Sequence, residues 1–114
     1  MANTFKIDTK SSLVTDAVSN TTTNVLSAGG TATIIVLSAL VSNKTGSSAS
    51  VDVYLVTNTG DDVYLIRNAP VPAGSSLELI SGNKVIMESS DILRARSDTS
   101  SALDIAVSYL EQTP

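Results

Sequence analysis

The chain contains no cysteine, no histidine and no tryptophan, and only one phenylalanine and three tyrosines in 114 residues. Without cysteine there are no disulfides, so the fold must hold by packing alone. Without histidine, nucleophilic catalysis of the Ser–His–acid kind loses its near-neutral base. Zinc is left with carboxylates as its only usual side-chain ligands. Charge is scarce too: 16% of residues are charged, with seven basic residues and a net charge of −4. That balance gives no electrostatic footprint for nucleic acid and no cationic face for anionic lipid. The most apolar stretch, Thr33 to Val41, is about half the ~20 residues a membrane helix needs. The opening Met-Ala-Asn-Thr-Phe-Lys lacks the apolar core of a secretory signal, and the expectation is synthesis in the cytoplasm without standard export.

What is abundant is equally informative. Hydrophobic residues make up 42% of the chain although aromatics are only 4%, so aliphatic side chains must fill the core. Val, Ile and Thr number 12, 8 and 13; branching at Cβ restricts χ1 and suits a pleated strand better than a helix. Ser numbers 18, and with Thr it supplies hydroxyl-rich turns and outer faces. A chain of this length suits one domain with one modest core.

The clearest strand is C-terminal. Leu103, Ile105, Val107 and Tyr109 alternate with Ala102, Asp104, Ala106 and Ser108, a period of two that separates the two sets onto opposite sheet faces. Val51, Val53 and Leu55 repeat the pattern, and Phe5 and Ile7 form a shorter instance. Further strands are predicted over 31–41, 62–68 and 92–96. A hairpin is predicted at 77–88, with Leu77–Ile80 and Lys84–Glu88 flanking Ser81-Gly82-Asn83, a turn that glycine and asparagine favour. Pro70-Val71-Pro72 is expected to end the preceding strand, because proline cannot donate to a ladder. Strands every 8–12 residues with turn chemistry between them predict an all-β antiparallel sandwich, with Ig-like and jelly-roll-like topologies both open. Residues 23–114 are read as the sandwich and residues 1–22 as an extended N-terminal arm or edge strand. Such an arm can fray, serve as an ordinary first strand, or add a strand to a neighbour.

Few side chains carry candidate chemistry. Gly74-Ser75-Ser76 reads as a turn. Asn58, Asp61 and Asp62 share one loop and match no calcium-loop spacing. Glu78, Glu88 and Asp104 are the carboxylates that could converge as a glycosidase pair, but no tryptophan provides a sugar platform. Asn20 and Asn43 open Asn-X-Thr sequons that Thr abundance alone explains. Arg94 and Arg96, at i and i+2, leave one face of a strand. They read either as a solvent-facing pair balanced by Glu78, Glu88 or Asp104 or as a subunit contact, because planar guanidinium suits carboxylates.

The run Asp62-Val63-Tyr64-Leu65-Ile66-Arg67-Asn68-Ala69-Pro70-Val71-Pro72-Ala73-Gly74-Ser75-Ser76-Leu77-Glu78-Leu79, and the ending Leu93 to Gln112 with its Ser-Asp-Thr-Ser-Ser-Ala-Leu-Asp turn and Ser-Tyr-Leu-Glu close, resemble small virion structural proteins of tailed bacteriophages, especially of marine and cyanobacterial hosts. The resemblance covers roughly residues 23 to 112 and rests on turn-and-strand signatures. It implies a β-sandwich component of the virion; with no catalytic motif in the chain, neither catalysis nor a cofactor is expected. The first expectation is a capsid decoration or cement protein, a homotrimer over capsomer junctions whose partners are the major capsid protein or other virion proteins, with no nucleic acid or membrane. A neck or tail ring subunit and a glycan-binding surface module are the alternatives. Phe5 and Ile7 in the arm, and Arg94 and Arg96, are the expected subunit or capsid contacts.

Overall fold

A computed structural model describes residues 2–11, 13, 24–80, 84–99 and 102–113, and within them the chain is all strand and turn. Nine strands follow in order: β1 (Ala2–Lys10), β2 (Asn24–Ser27), β3 (Thr33–Asn43), β4 (Ala49–Val56), β5 (Asp62–Val71), β6 (Ser76–Glu78), β7 (Val85–Met87), β8 (Ile92–Ser97) and β9 (Leu103–Thr113). One sheet, sheet A, runs β1-β9-β3-β6, with β7 also on β3. The other, sheet B, runs β2-β8-β4-β5. All pairings are antiparallel.

β6 and β7 do not pair with each other. Both run antiparallel to β3, β6 along Leu40–Ser42 and β7 along Ile34–Val36. The hairpin predicted at 77–88 is therefore a single edge strand broken in the middle; the turn proposed for it, residues 81–83, lies outside the described residues. The break falls where β3 bulges between Val36 and Ser38. There the Glu78 carboxylate accepts from the backbone N–H of Ala39 and of Ile80, at 2.9 and 3.1 Å. It supplies the acceptor that the departing strand withdraws. With the broken strand counted once, the sheet orders become 1-8-3-6 and 2-7-4-5. Among the described strands only β4 to β5 is a hairpin within one sheet, and every other connection crosses between sheets. This is jelly-roll wrapping, and it decides between the two sandwich topologies.

The core lies between the sheets and is almost wholly aliphatic. Leu103, Ile105, Val107 and Tyr109 all point into it, as their alternation predicts, together with Ile34, Val36, Val51, Val53 and Leu93. Tyr109 is the one aromatic in the core cluster. The four-residue β2, too short to show alternation, contributes Val25 and Leu26. Leu13 is fully buried and donates its N–H to the Leu103 carbonyl at 2.8 Å, tying the chain after β1 to the start of β9.

β5 runs through Pro70 to Val71 instead of stopping at Asn68. It is the edge of its sheet, so a missing proline N–H costs no ladder bond there. Gly74, at φ +68°, closes the turn that follows. Ser75 donates both its N–H and its hydroxyl to the Pro72 carbonyl, which makes Gly74-Ser75-Ser76 the turn its sequence implies.

Candidate functional site: two outward sheet faces

The register of β1 decides what the first sheet shows to solvent. Lys6 lies opposite Tyr109 and Asp8 opposite Val107, so the charged residues of β1 share the inward side of β9. Phe5 and Ile7 are opposite Leu110 and Ser108 and share the outward side. The cause is coverage. The nine residues of β1 face a β2 only four residues long, so much of the inward side of β1 stays wet. Lys6 there pairs with Glu111 at 2.7 Å, and Tyr109 donates a long 3.4 Å hydrogen bond to Asp8. The hydrogen bond to Glu111 holds the Lys6 ammonium above its ordinary range. Burial, reinforced by the Asp8 charge, pushes the Tyr109 phenol up.

The outward side of sheet A carries an apolar row among Ser, Thr and charged residues such as Asp104 and Glu78. Phe5, Leu110, Ile35 and Ile86 are successive cross-strand partners and form one row over β1, β9, β3 and β7. A second row runs Thr9, Ala106, Leu40. Phe5 is 76% exposed, Ile7 and Ile86 60% each and Leu40 41%. All four are among the exposed large hydrophobic residues of the described chain, and exposed apolar groups that cluster often mark contact sites. Two open depressions lie on this face. One of about 360 Å³ lies between Phe5, Ile7 and Leu37, and one of about 600 Å³ lies between Thr9, Leu40, Asp104 and Ala106. Asp104 pairs with Lys44 at 3.0 Å.

The outward side of sheet B is polar and closed on itself. Arg96 Nε donates to Asp52 Oδ2 at 2.8 Å, and its Nη2 donates to the Tyr64 hydroxyl at 3.0 Å. Its guanidinium lies 5.6 Å from the Tyr54 ring centroid, and Tyr54 and Tyr64 stack at 5.0 Å. Arg67 lies over Tyr64 at 5.2 Å. The second Asp52 oxygen accepts the Asn68 N–H at 2.7 Å. Asn68, at φ +52°, belongs to a bulge in β5 opposite Asp52. The hydrogen bond from Arg96 to Asp52 pushes its already high pKa further up. Arg94 Nε donates to Asn24 Oδ1 at 2.6 Å.

No protein-family model and no curated protein matches this sequence. Among solved structures, the chain is similar to one in a structure titled infectious bursal disease virus, Gx strain, with a TM-score of 0.43 and 11% identity. The match covers 97% of this chain and 37% of that one.

The four expected contact residues therefore divide between the faces: Phe5 and Ile7 on the apolar one, Arg94 and Arg96 on the polar one. The arginines do share a face, but their partners are Asp52 and Asn24. Glu78, Glu88 and Asp104 play no part. Nor do those three carboxylates face a common cleft. Glu78 is spent on the backbone, Asp104 pairs with Lys44, and Glu88 sits in the turn that its N–H closes by donating to Asp91. Asp91, 7% exposed, also accepts from the Asn58 N–H at 2.9 Å. Asn58 donates its side-chain amide to the Ser89 carbonyl, and Asp61 accepts from Thr59. Among the described residues no three acidic, histidine or cysteine side chains are grouped to hold a metal. Asn43 is 3% exposed and donates its amide to the carbonyls of Ser47 and Val71, so its sequon is closed to glycosylation in the fold. Asn20 lies outside the described residues.

Proposed function

We propose that this protein is a non-catalytic structural component of a virus particle, a capsid decoration or cement protein that docks on the shell through the outward face of sheet A. The observation that carries the reading is the row Phe5–Leu110–Ile35–Ile86 with Ile7 and Leu40 beside it. It places the chain's one phenylalanine on solvent while aliphatic residues make up nearly all of the core. Burying an apolar face on a second protein removes its surface from water without desolvating an ion. A major capsid protein or another virion protein is the partner of matching chemistry. The phage-like runs at 62–79 and 93–112 support the same reading. The aromatics of sheet B offer little to a sugar, since Tyr54 is 3% exposed beneath Arg96 and Tyr64 is stacked on it.

The test is reconstitution. Shells stripped of the protein are mixed with it, and occupancy and shell melting temperature are measured. Saturable binding with a raised shell melting temperature is expected. Shells that neither bind the protein nor change in stability would refute the cement reading, and density for it at the neck or tail alone would move it there.

A further inference from the structure

The edge of β1 carries a second piece of recognition that the apolar face does not explain. Among the described residues β1 is hydrogen-bonded on one side only, to β9. It is nine residues long and has neither proline nor a register shift along its pairing. Long straight edges are normally blunted against self-pairing, often by lysine, and β1 has Lys6 and Lys10. Between them, however, stands Asp8, and the spacing makes the edge complementary to itself.

In antiparallel pairing about a two-fold axis, only registers centred on a residue keep both apolar faces on one side. Centring on Lys6 sets Lys6 against Lys6. Centring on Asp8 sets Asp8 against Asp8 and Lys6 against Lys10. Centring on Phe5 makes no charge pair. Centring on Ile7 sets Lys6 against Asp8 and Asp8 against Lys6, with Ile7 on Ile7 and Phe5 on Thr9, over the full span from Thr4 to Lys10. Centring on Thr9 recovers opposite charges only in a shorter overlap. Opposite-charge cross-strand pairs favour a register and like pairs oppose it.

We propose that the occupant of the β1 edge is β1 of a second copy of this chain, paired antiparallel about Ile7 so that sheet A continues across a two-fold axis. The pairing is isologous, as closed dimers require, and satisfies backbone groups of β1 that have no strand partner among the described residues. It also joins the two apolar rows into one outward face of double width. It does not depend on the virion reading: a chain that binds no shell can still dimerise this way.

Because the protein has no cysteine of its own, a single introduced thiol reports the register. Directly opposed residues lie about 4.5–5.5 Å apart at Cα, within disulfide reach. Under oxidising conditions Ile7→Cys is expected to form a covalent dimer. Phe5→Cys or Thr9→Cys alone is expected not to, although the two mixed should cross-link. Light scattering on the unmodified protein at about 100 μM, well above the Kd of a modest interface, should give a dimer. Asp8→Lys, which faces Lys6 with a lysine, should weaken that dimer at least tenfold while its melting temperature at low concentration is kept. A monomer at that concentration, a trimer, or equal self-cross-linking by Phe5→Cys and Ile7→Cys would overturn the pairing.

Discussion

The two outward faces of this sandwich solve the same problem in opposite ways. On sheet B the polar groups of β8 and the β5 bulge are answered from within the chain: Arg96 by Asp52 and Tyr64, Arg94 by Asn24, the bulge by Asp52 again. Val63, Tyr64 and Leu65 of the β5 edge nevertheless stay exposed. On sheet A the apolar residues Phe5, Ile7 and Ile86 are left in water. A face that is internally paired offers a partner little, because docking there must first break or desolvate what already exists. A face of uncovered aliphatic and aromatic groups gains on contact. That difference is why sheet A, and not sheet B, is the face proposed to dock.

The largest effect that would break this comparison is on the two sides of sheet A itself. Leu103→Ala on the inward side should cost about 2–5 kcal/mol by denaturant unfolding, because it empties a fully buried site. Leu40→Ala on the outward side should stay within about 0.5 kcal/mol. Next, Phe5→Ser with Ile7→Ser should weaken shell binding tenfold to a hundredfold in a sedimentation assay while leaving the melting temperature in place. Equal losses of stability and binding would mean that these residues belong to the core. Asp52→Ala should cost about 1 kcal/mol of stability, since it removes the acceptor of the Asn68 N–H and of Arg96 Nε. Shell binding should be untouched. The smallest effect is in pH. Tyr109 is neutral below its ordinary pKa near 10, and the fold raises that pKa. The native state therefore holds the proton more tightly than the unfolded chain, and stability is lost as pH rises above 10 through the raised value. Tyr109→Phe should flatten that alkaline decline; an unchanged slope would remove Tyr109 as its source.

Much of the fold is legible in the sequence where alternation is strict. Leu103 to Tyr109 and Val51 to Val53 mark both strand and buried side, because the period of two is a local property. Pairing partners are not local. Leu77–Ile80 and Lys84–Glu88 look like the arms of a hairpin, yet each pairs with β3, and only the bulge in β3 and the carboxylate of Glu78 explain the break. Pro70 stops a central strand but not an edge, and the sequence does not say which strand is the edge. Phe5 and Ile7 are recognisable as one face of a strand, but which face turns inward depends on the shortness of β2. Likewise the shared face of Arg94 and Arg96 follows from their spacing. Their partners Asp52 and Asn24 follow from the registers of β8 with β4 and β2, which spacing within one strand does not contain.

The proposal that sheet A is the docking face is tested most directly by hydroxyl-radical footprinting of the protein free and mixed with capsid shells. Phe5, Ile7 and Ile86 should become protected while Tyr64 keeps its reactivity. Protection of Tyr64 with Phe5 still fully reactive would place the contact on sheet B and contradict the assignment.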